Sequence, residues 1–80
     1  MRMKTAIGEN PVDIVTADTC LIISIHGRPV VYLYDYTIKF SGSQVTMVGY
    51  TKEGDEYTGE EEEMFNHTFR KEIFVFVPLA

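Results

Sequence analysis

Apolar and polar residues alternate with a period of two through most of the chain, and residues typical of turns separate the alternating runs. This pattern is typical of short antiparallel strands, because successive side chains of a strand point to opposite faces of a sheet. In "CLIISI", for example, Leu21, Ile23 and Ile25 share one face. The pattern predicts strands at residues 12–17, 20–25, 30–40, 44–51 and 72–78. The pair Glu53-Gly54 allows an additional short strand at Asp55 to Tyr57.

Two of the connections predict hairpins. "HGRP" combines Gly27, which tolerates a positive φ, with Pro29, which lacks an N–H group, so the chain is expected to reverse between Ile25 and Val30. "SGS" at residues 41–43 places a glycine at the centre of a second reversal. The last run, "EIFVFVP", is apolar on both faces, which predicts a central strand.

One helix is predicted before that last strand. Thr58 and Glu61 have the spacing of a capping box, in which each side chain accepts a hydrogen bond from the other residue's backbone N–H. A helix over residues 59–69 would place an apolar stripe on the sheet, formed by Met64, Phe65, Thr68 and Phe69. The predicted fold is therefore mainly β (α+β), with a small antiparallel sheet or partly open barrel of five to six strands and one short helix. Residues 1–80 are expected to form a single domain. The strand spacing resembles that of Sm-like and SH3-like barrels, but no diagnostic motif of either family is present.

The acidic residues are concentrated in one segment. The chain has a net charge of −5. Residues 1–40 carry four acids and four bases, whereas residues 53–63 carry seven acids and no base: Glu53, Asp55, Glu56, Glu60, Glu61, Glu62 and Glu63. The last four are explained by the first turn of the predicted helix, where the helix dipole favours negative charge. The first three precede that helix, so we hypothesise that the whole segment binds a basic surface of a partner.

The remaining candidate chemistry is sparse, and no enzymatic activity is expected. Cys20 is the only cysteine, and His26 lies about 20 Å away along an extended strand, too far to act as its base. Cys20 is therefore interpreted as a small, partly buried apolar residue, and His26 and His67 as surface or capping groups. The acids do not have the spacing of a calcium-binding loop. No metal and no cofactor are expected.

Three tyrosines occur at alternate positions of the third predicted strand. Tyr32, Tyr34 and Tyr36 would share one face, and we interpret them as part of the core or its rim. The alternative is an exposed aromatic surface. Direct binding of nucleic acid is not expected, because Arg28 and Lys39 supply little positive charge near these rings.

These observations favour a non-enzymatic, acidic protein-binding module. In size and acidity the chain is similar to the small inhibitors that phages make against host nucleases and immune complexes. That resemblance implies docking on a basic, nucleic-acid-binding surface of a partner complex. Two alternatives remain: a structural or assembly subunit that forms a homo-oligomer through a strand edge or the tyrosine face, and a small ligand-binding barrel. No signal peptide or membrane span is recognised, so a cytoplasmic location is expected.

Overall fold

Residues 1–52 and 69–79 are described by the computed structural model, and in these ranges the chain forms strands and turns. The strands pair only in antiparallel fashion and form one sheet in which spatial order follows chain order. Their bounds are β1 Arg2–Ile7, β2 Asn10–Thr16, β3 Leu21–Ile25, β4 Arg28–Ser41, β5 Gln44–Lys52 and β6 Phe69–Phe76. The sequence prediction of a mainly β, antiparallel sheet of five to six strands is confirmed.

Tight turns at the predicted positions connect the strands. His26 and Gly27 link β3 to β4, and both have positive φ, at 51° and 76°. Positive φ at both central residues is the conformation of the hairpin turn that matches the twist of its strands. Gly42, with φ 60°, begins the turn between β4 and β5. Both predicted hairpins are therefore present.

The core lies on one face of the curled sheet. All six strands contribute to it, because residues of alternate positions point inward from each strand. The buried side chains of this cluster are Met3, Val12, Ile14, Leu21, Ile23, Leu33, Val45, Met47 and Phe76. Their positions follow the period-two pattern of the sequence.

A bulge divides β4 into two halves. Tyr34 pairs with Tyr50 and Thr37 pairs with Val48, so β4 has one residue more than β5 between these pairs. Asp35 lies in the bulge with φ 46°, a left-handed conformation that aspartate tolerates better than most residues. Because one extra residue exchanges the two faces of a strand, the side chains before and after the bulge alternate in opposite phase.

Three sequence predictions need correction. Strand β1 was not predicted, although Met3 and Thr5 alternate with Arg2 and Lys4 as in a half-buried strand. The described residues contain no helix, and Phe69, the last residue of the predicted helix, begins β6. The rest of the predicted helix, residues 59–68, lies outside the described ranges. The short strand predicted at Asp55 to Tyr57 lies outside them too.

Strand β6 lies at an edge of the sheet, and the prediction of a central position was wrong. Its two apolar faces led to that prediction, but strand order follows chain order, and so the last strand pairs only with β5 among the described strands. Because the core lies on one face of the sheet, the other apolar face of β6, with Ile73 and Val75, is exposed.

The two edges of the sheet, β1 and β6, meet at one end. The Thr5 hydroxyl donates to the Val77 carbonyl at 2.7 Å, and the Leu79 N–H donates to the Lys4 carbonyl at 2.8 Å. Thr5 is only 2% exposed, so its hydroxyl makes this contact from inside the protein. The sheet stays open beyond this point.

Candidate functional site

A groove separates β1 and β6 where the sheet stays open, and we call it the seam. Its volume is about 620 Å³. The walls are formed by the end of β1 and by β6 with its extension, chiefly Ala6, Ile7, Ile73, Phe74, Val75 and Leu79. The groove is therefore lined mainly by aliphatic and aromatic side chains.

Both faces of β6 contribute to the seam. Phe74 and Phe76 are paired with Met47 and Val45 and point to the core side, with their rings parallel and 6.3 Å apart. Ile73 and Val75 point to the opposite face, where they are 63% and 52% exposed. Val77, Leu79 and Ile7 are about half exposed or more beside them. Contiguous exposed aliphatic surface of this kind marks interaction sites in many proteins.

The backbone of β6 also presents hydrogen-bonding groups to the seam. The Val77 carbonyl and the Leu79 N–H are both directed toward β1. Since alternate residues of a strand direct their backbone groups to the same side, the N–H and C=O groups of Ile73 and Val75 lie on this edge too. No strand of the described ranges pairs with them there. Such an edge can accept an additional strand.

The three tyrosines predicted to share one face are separated by the bulge. Tyr34 pairs with Tyr50 on the outer face, is only 3% exposed, and meets the Phe69 ring edge-on at 6.0 Å. Tyr36 follows the bulge and packs against the core cluster. Tyr32 is half-buried. All three rings are thus buried or half-buried, and Tyr36 does not share the face of Tyr32 and Tyr34.

A second, smaller cleft lies beside Tyr32 and Tyr34. It has a volume of about 300 Å³, and Lys52 and Glu72 also line it. Two phenols, one base and one acid are thus among the groups that line this cleft.

The acidic residues proposed as a partner-binding site lie outside the described ranges: Glu53, Asp55, Glu56, Glu60, Glu61, Glu62 and Glu63. The described ranges contain seven Lys or Arg and five Asp or Glu, a net charge of +2. Seven acids in residues 53–63 account for the difference from −5. The strands that border this segment carry bases, since Lys52 ends β5 and Arg70 and Lys71 follow the start of β6.

Cys20 is buried more completely than the sequence interpretation expected, with 1% of its surface exposed. Burial raises the pKa of the Cys20 thiol, and a hydrogen bond with the Thr19 side chain opposes part of that increase. A raised pKa disfavours the thiolate that a nucleophile requires.

His26 takes part in a turn contact between hairpins. Its Nε2 lies 2.9 Å from the Asn10 side-chain oxygen, and its backbone N–H donates to the Pro11 carbonyl at 3.0 Å. These contacts join the end of the β3–β4 hairpin to the start of β2. His67 lies outside the described ranges.

Within residues 1–52 and 69–79, no group of three or more His, Cys, Asp or Glu side chains is placed to hold a metal ion. The same part of the chain has no helix of the length and apolar character needed to span a bilayer. Comparison with protein-family models, with characterised proteins and with solved structures gave no match.

The residues of the seam were not singled out from the sequence as a binding site. The available signal was the unbroken apolar run "IFVFV", which was read as a buried central strand. Ile7 could not be assigned to the seam from the sequence, because β1 was not predicted and the pairing of that strand decides which residues face β6.

Proposed function

We propose that this protein is a non-enzymatic protein-binding module that binds its partner at the seam. The observation that carries the proposal is the position of β6, an apolar strand at the sheet edge with Ile73 and Val75 largely exposed. Isolated exposed aliphatic residues are common, but here they lie beside backbone groups that can pair with another strand. Side chains and backbone of β6 thus offer the two interactions on which strand addition depends.

The acidic segment has a supporting role in this proposal. Seven acids at residues 53–63 follow directly after β5 in the chain, and the sheet itself carries little net charge. Charges of one sign accelerate encounter with a surface of the opposite sign more than they strengthen the bound state. We therefore assign recognition to the seam and steering toward a basic partner surface to the acids. An inhibitor of a nucleic-acid-binding complex remains one form that such a module can take.

The test is site-specific cross-linking of the full chain in the cells that naturally produce it. A photoreactive phenylalanine analogue at Ile73 should form covalent adducts with a partner chain, which mass spectrometry identifies. The same analogue at Phe40 is the matched control, because Phe40 is 68% exposed and is not among the residues that line the seam. Adducts from Ile73 that disappear in a Val75→Lys background support the proposal. Equal adducts from both positions, or none from Ile73, contradict it.

A further inference from the structure

We infer that the seam binds the same strand of a second copy of this chain, so that two copies pair antiparallel through β6. This inference rests on the proposed function and names the partner. The two strands would be related by a two-fold axis, which is the commonest symmetry of homo-oligomers.

The register of such a pair follows from the side chains of β6. In the hydrogen-bonded pairs of an antiparallel ladder both residues direct their backbone groups to the shared edge, and Ile73 and Val75 meet that condition. Pairing Ile73 with Val75 of the second copy sets Phe74 opposite its own equivalent and continues the aliphatic face across both strands. A shift that sets Glu72 opposite Glu72 of the second copy is disfavoured, because like charges directly opposite are destabilising. The inferred pair therefore has Ile73 opposite Val75, a register that sets Glu72 opposite Phe76 and away from its own equivalent.

The exposed aliphatic surface supplies part of the area that a small dimer buries. Five aliphatic side chains are half to two-thirds exposed and together present on the order of 500 Å² of surface, toward the upper end for the largest apolar patch of a monomer. These residues are Ile7, Ile73, Val75, Val77 and Leu79. A standard interface covers about 800 Å² per partner. Backbone pairing along β6 adds area of its own.

Repulsion between two copies opposes this association less strongly than the net charge of −5 suggests. A chain of −5 would be expected to repel its own copy. The described residues, however, carry +2, and Lys71 precedes the seam residues of β6. Two sheets can therefore meet through β6 without bringing two strongly acidic sheets together.

The first experiment is analytical ultracentrifugation of the full-length protein from 1 to 200 μM. We expect a concentration-dependent transition from the 9.1 kDa chain to twice that mass. Val75→Lys should weaken the association at least 100-fold, whereas Phe40→Lys should leave it unchanged. A wild-type protein that stays monomeric throughout the range, or a dimer that a folded Val75→Lys variant preserves, overturns the inference.

Disulfide trapping tests the register and does not depend on the stability of Val75→Lys. In a Cys20→Ala background, Ile73→Cys and Val75→Cys are prepared as separate proteins and mixed with oxidised glutathione, which accepts the two electrons of each new disulfide. The mixture should form cross-linked dimers, and each protein alone should form far fewer. Absence of cross-links in the mixture contradicts the inference. If the protein is monomeric but the probe at Ile73 captures a different protein, the inference fails while the proposed function stands.

Discussion

Gly49 lies directly against the Leu33 side chain, so that a Cβ atom at Gly49 would come within 2.7 Å of Leu33 Cγ. The same Cβ would be 2.8 Å from the Tyr34 carbonyl oxygen. The β4 bulge lies opposite this point, where the Leu33 side chain and the Tyr34 backbone lie close to Gly49. A glycine is required here because of space, since its φ is not in the left-handed region.

Gly49→Ala should therefore destabilise the protein by about 1–3 kcal/mol, the usual cost of overpacking a core. Urea unfolding followed by circular dichroism measures the change. Combining Gly49→Ala with Leu33→Val should recover part of the loss, because one of the two contacts is relieved and the backbone contact remains. Strict additivity of the two substitutions would show that Leu33 is not the obstacle.

Tyr34 and Tyr50 are direct partners in the sheet but differ in burial, which makes them a matched pair. Tyr34→Ala should cost roughly 3 kcal/mol or more, because a 3%-exposed ring that packs on Phe69 is lost. Tyr50→Ala should cost much less, because Tyr50 is 38% exposed. Chemical denaturation of both variants tests this. Similar losses would mean that Tyr34 is not packed as described.

The Thr5 hydroxyl links the two sheet edges, and a substitution that keeps the shape of the side chain can remove this hydroxyl alone. Thr5→Val keeps the branched side chain but leaves the Val77 carbonyl without this donor, so we expect a loss of about 1 kcal/mol. Thr5→Ser keeps the donor and should restore the protection of the Leu79 amide against hydrogen exchange. If Thr5→Val exchanges the Leu79 amide no faster than wild type does, the contact does not hold the edges together.

Burial of Cys20 should lower the free energy of unfolding as the pH becomes alkaline. Its pKa is raised in the folded state, mainly because burial disfavours the thiolate, so the folded protein holds the proton at pH values where the unfolded chain releases it. The contribution to stability is constant below the unfolded pKa of about 8.5 and falls as pH rises above it. Unfolding free energies between pH 7 and 10 should therefore decline more steeply for wild type than for Cys20→Ala. Parallel curves would exclude this linkage.

The acidic segment is tested by its first three members, which precede the predicted helix. The triple change Glu53→Gln, Asp55→Asn and Glu56→Gln should alter folding stability by less than about 0.5 kcal/mol. Association with a partner identified by cross-linking should become slower and less dependent on salt, while dissociation changes little. Surface plasmon resonance at several salt concentrations measures both rates. Unchanged association with an unchanged salt slope would remove the steering role.

The sequence predicted most of the fold because local patterns determine most of it. The alternation in β3 and β5, together with Gly27 and Gly42 in the turns, was sufficient to place two hairpins. The separation of Tyr34 from Tyr36 could not be predicted, because the local pattern of β4 does not mark the extra residue of the bulge, which appears only in the pairing with β5. The seam was missed because the pattern of β6 shows only that both faces are apolar, whereas the fold places this strand at a sheet edge and leaves Ile73 and Val75 exposed.

Strand order has a further consequence for how the sheet assembles. Neighbouring strands from β1 to β5 are joined by short connections, so each pairing closes a small loop and most contacts lie close in sequence. Strand β6 is different, because residues 53–68 must be spanned before it can pair with β5, and closing a longer loop costs more entropy. Contacts that lie far apart in sequence slow folding. We therefore expect β6 to dock after the other five strands have formed a ladder, so that the outer edge of β5 is transiently available to the wrong strand during folding.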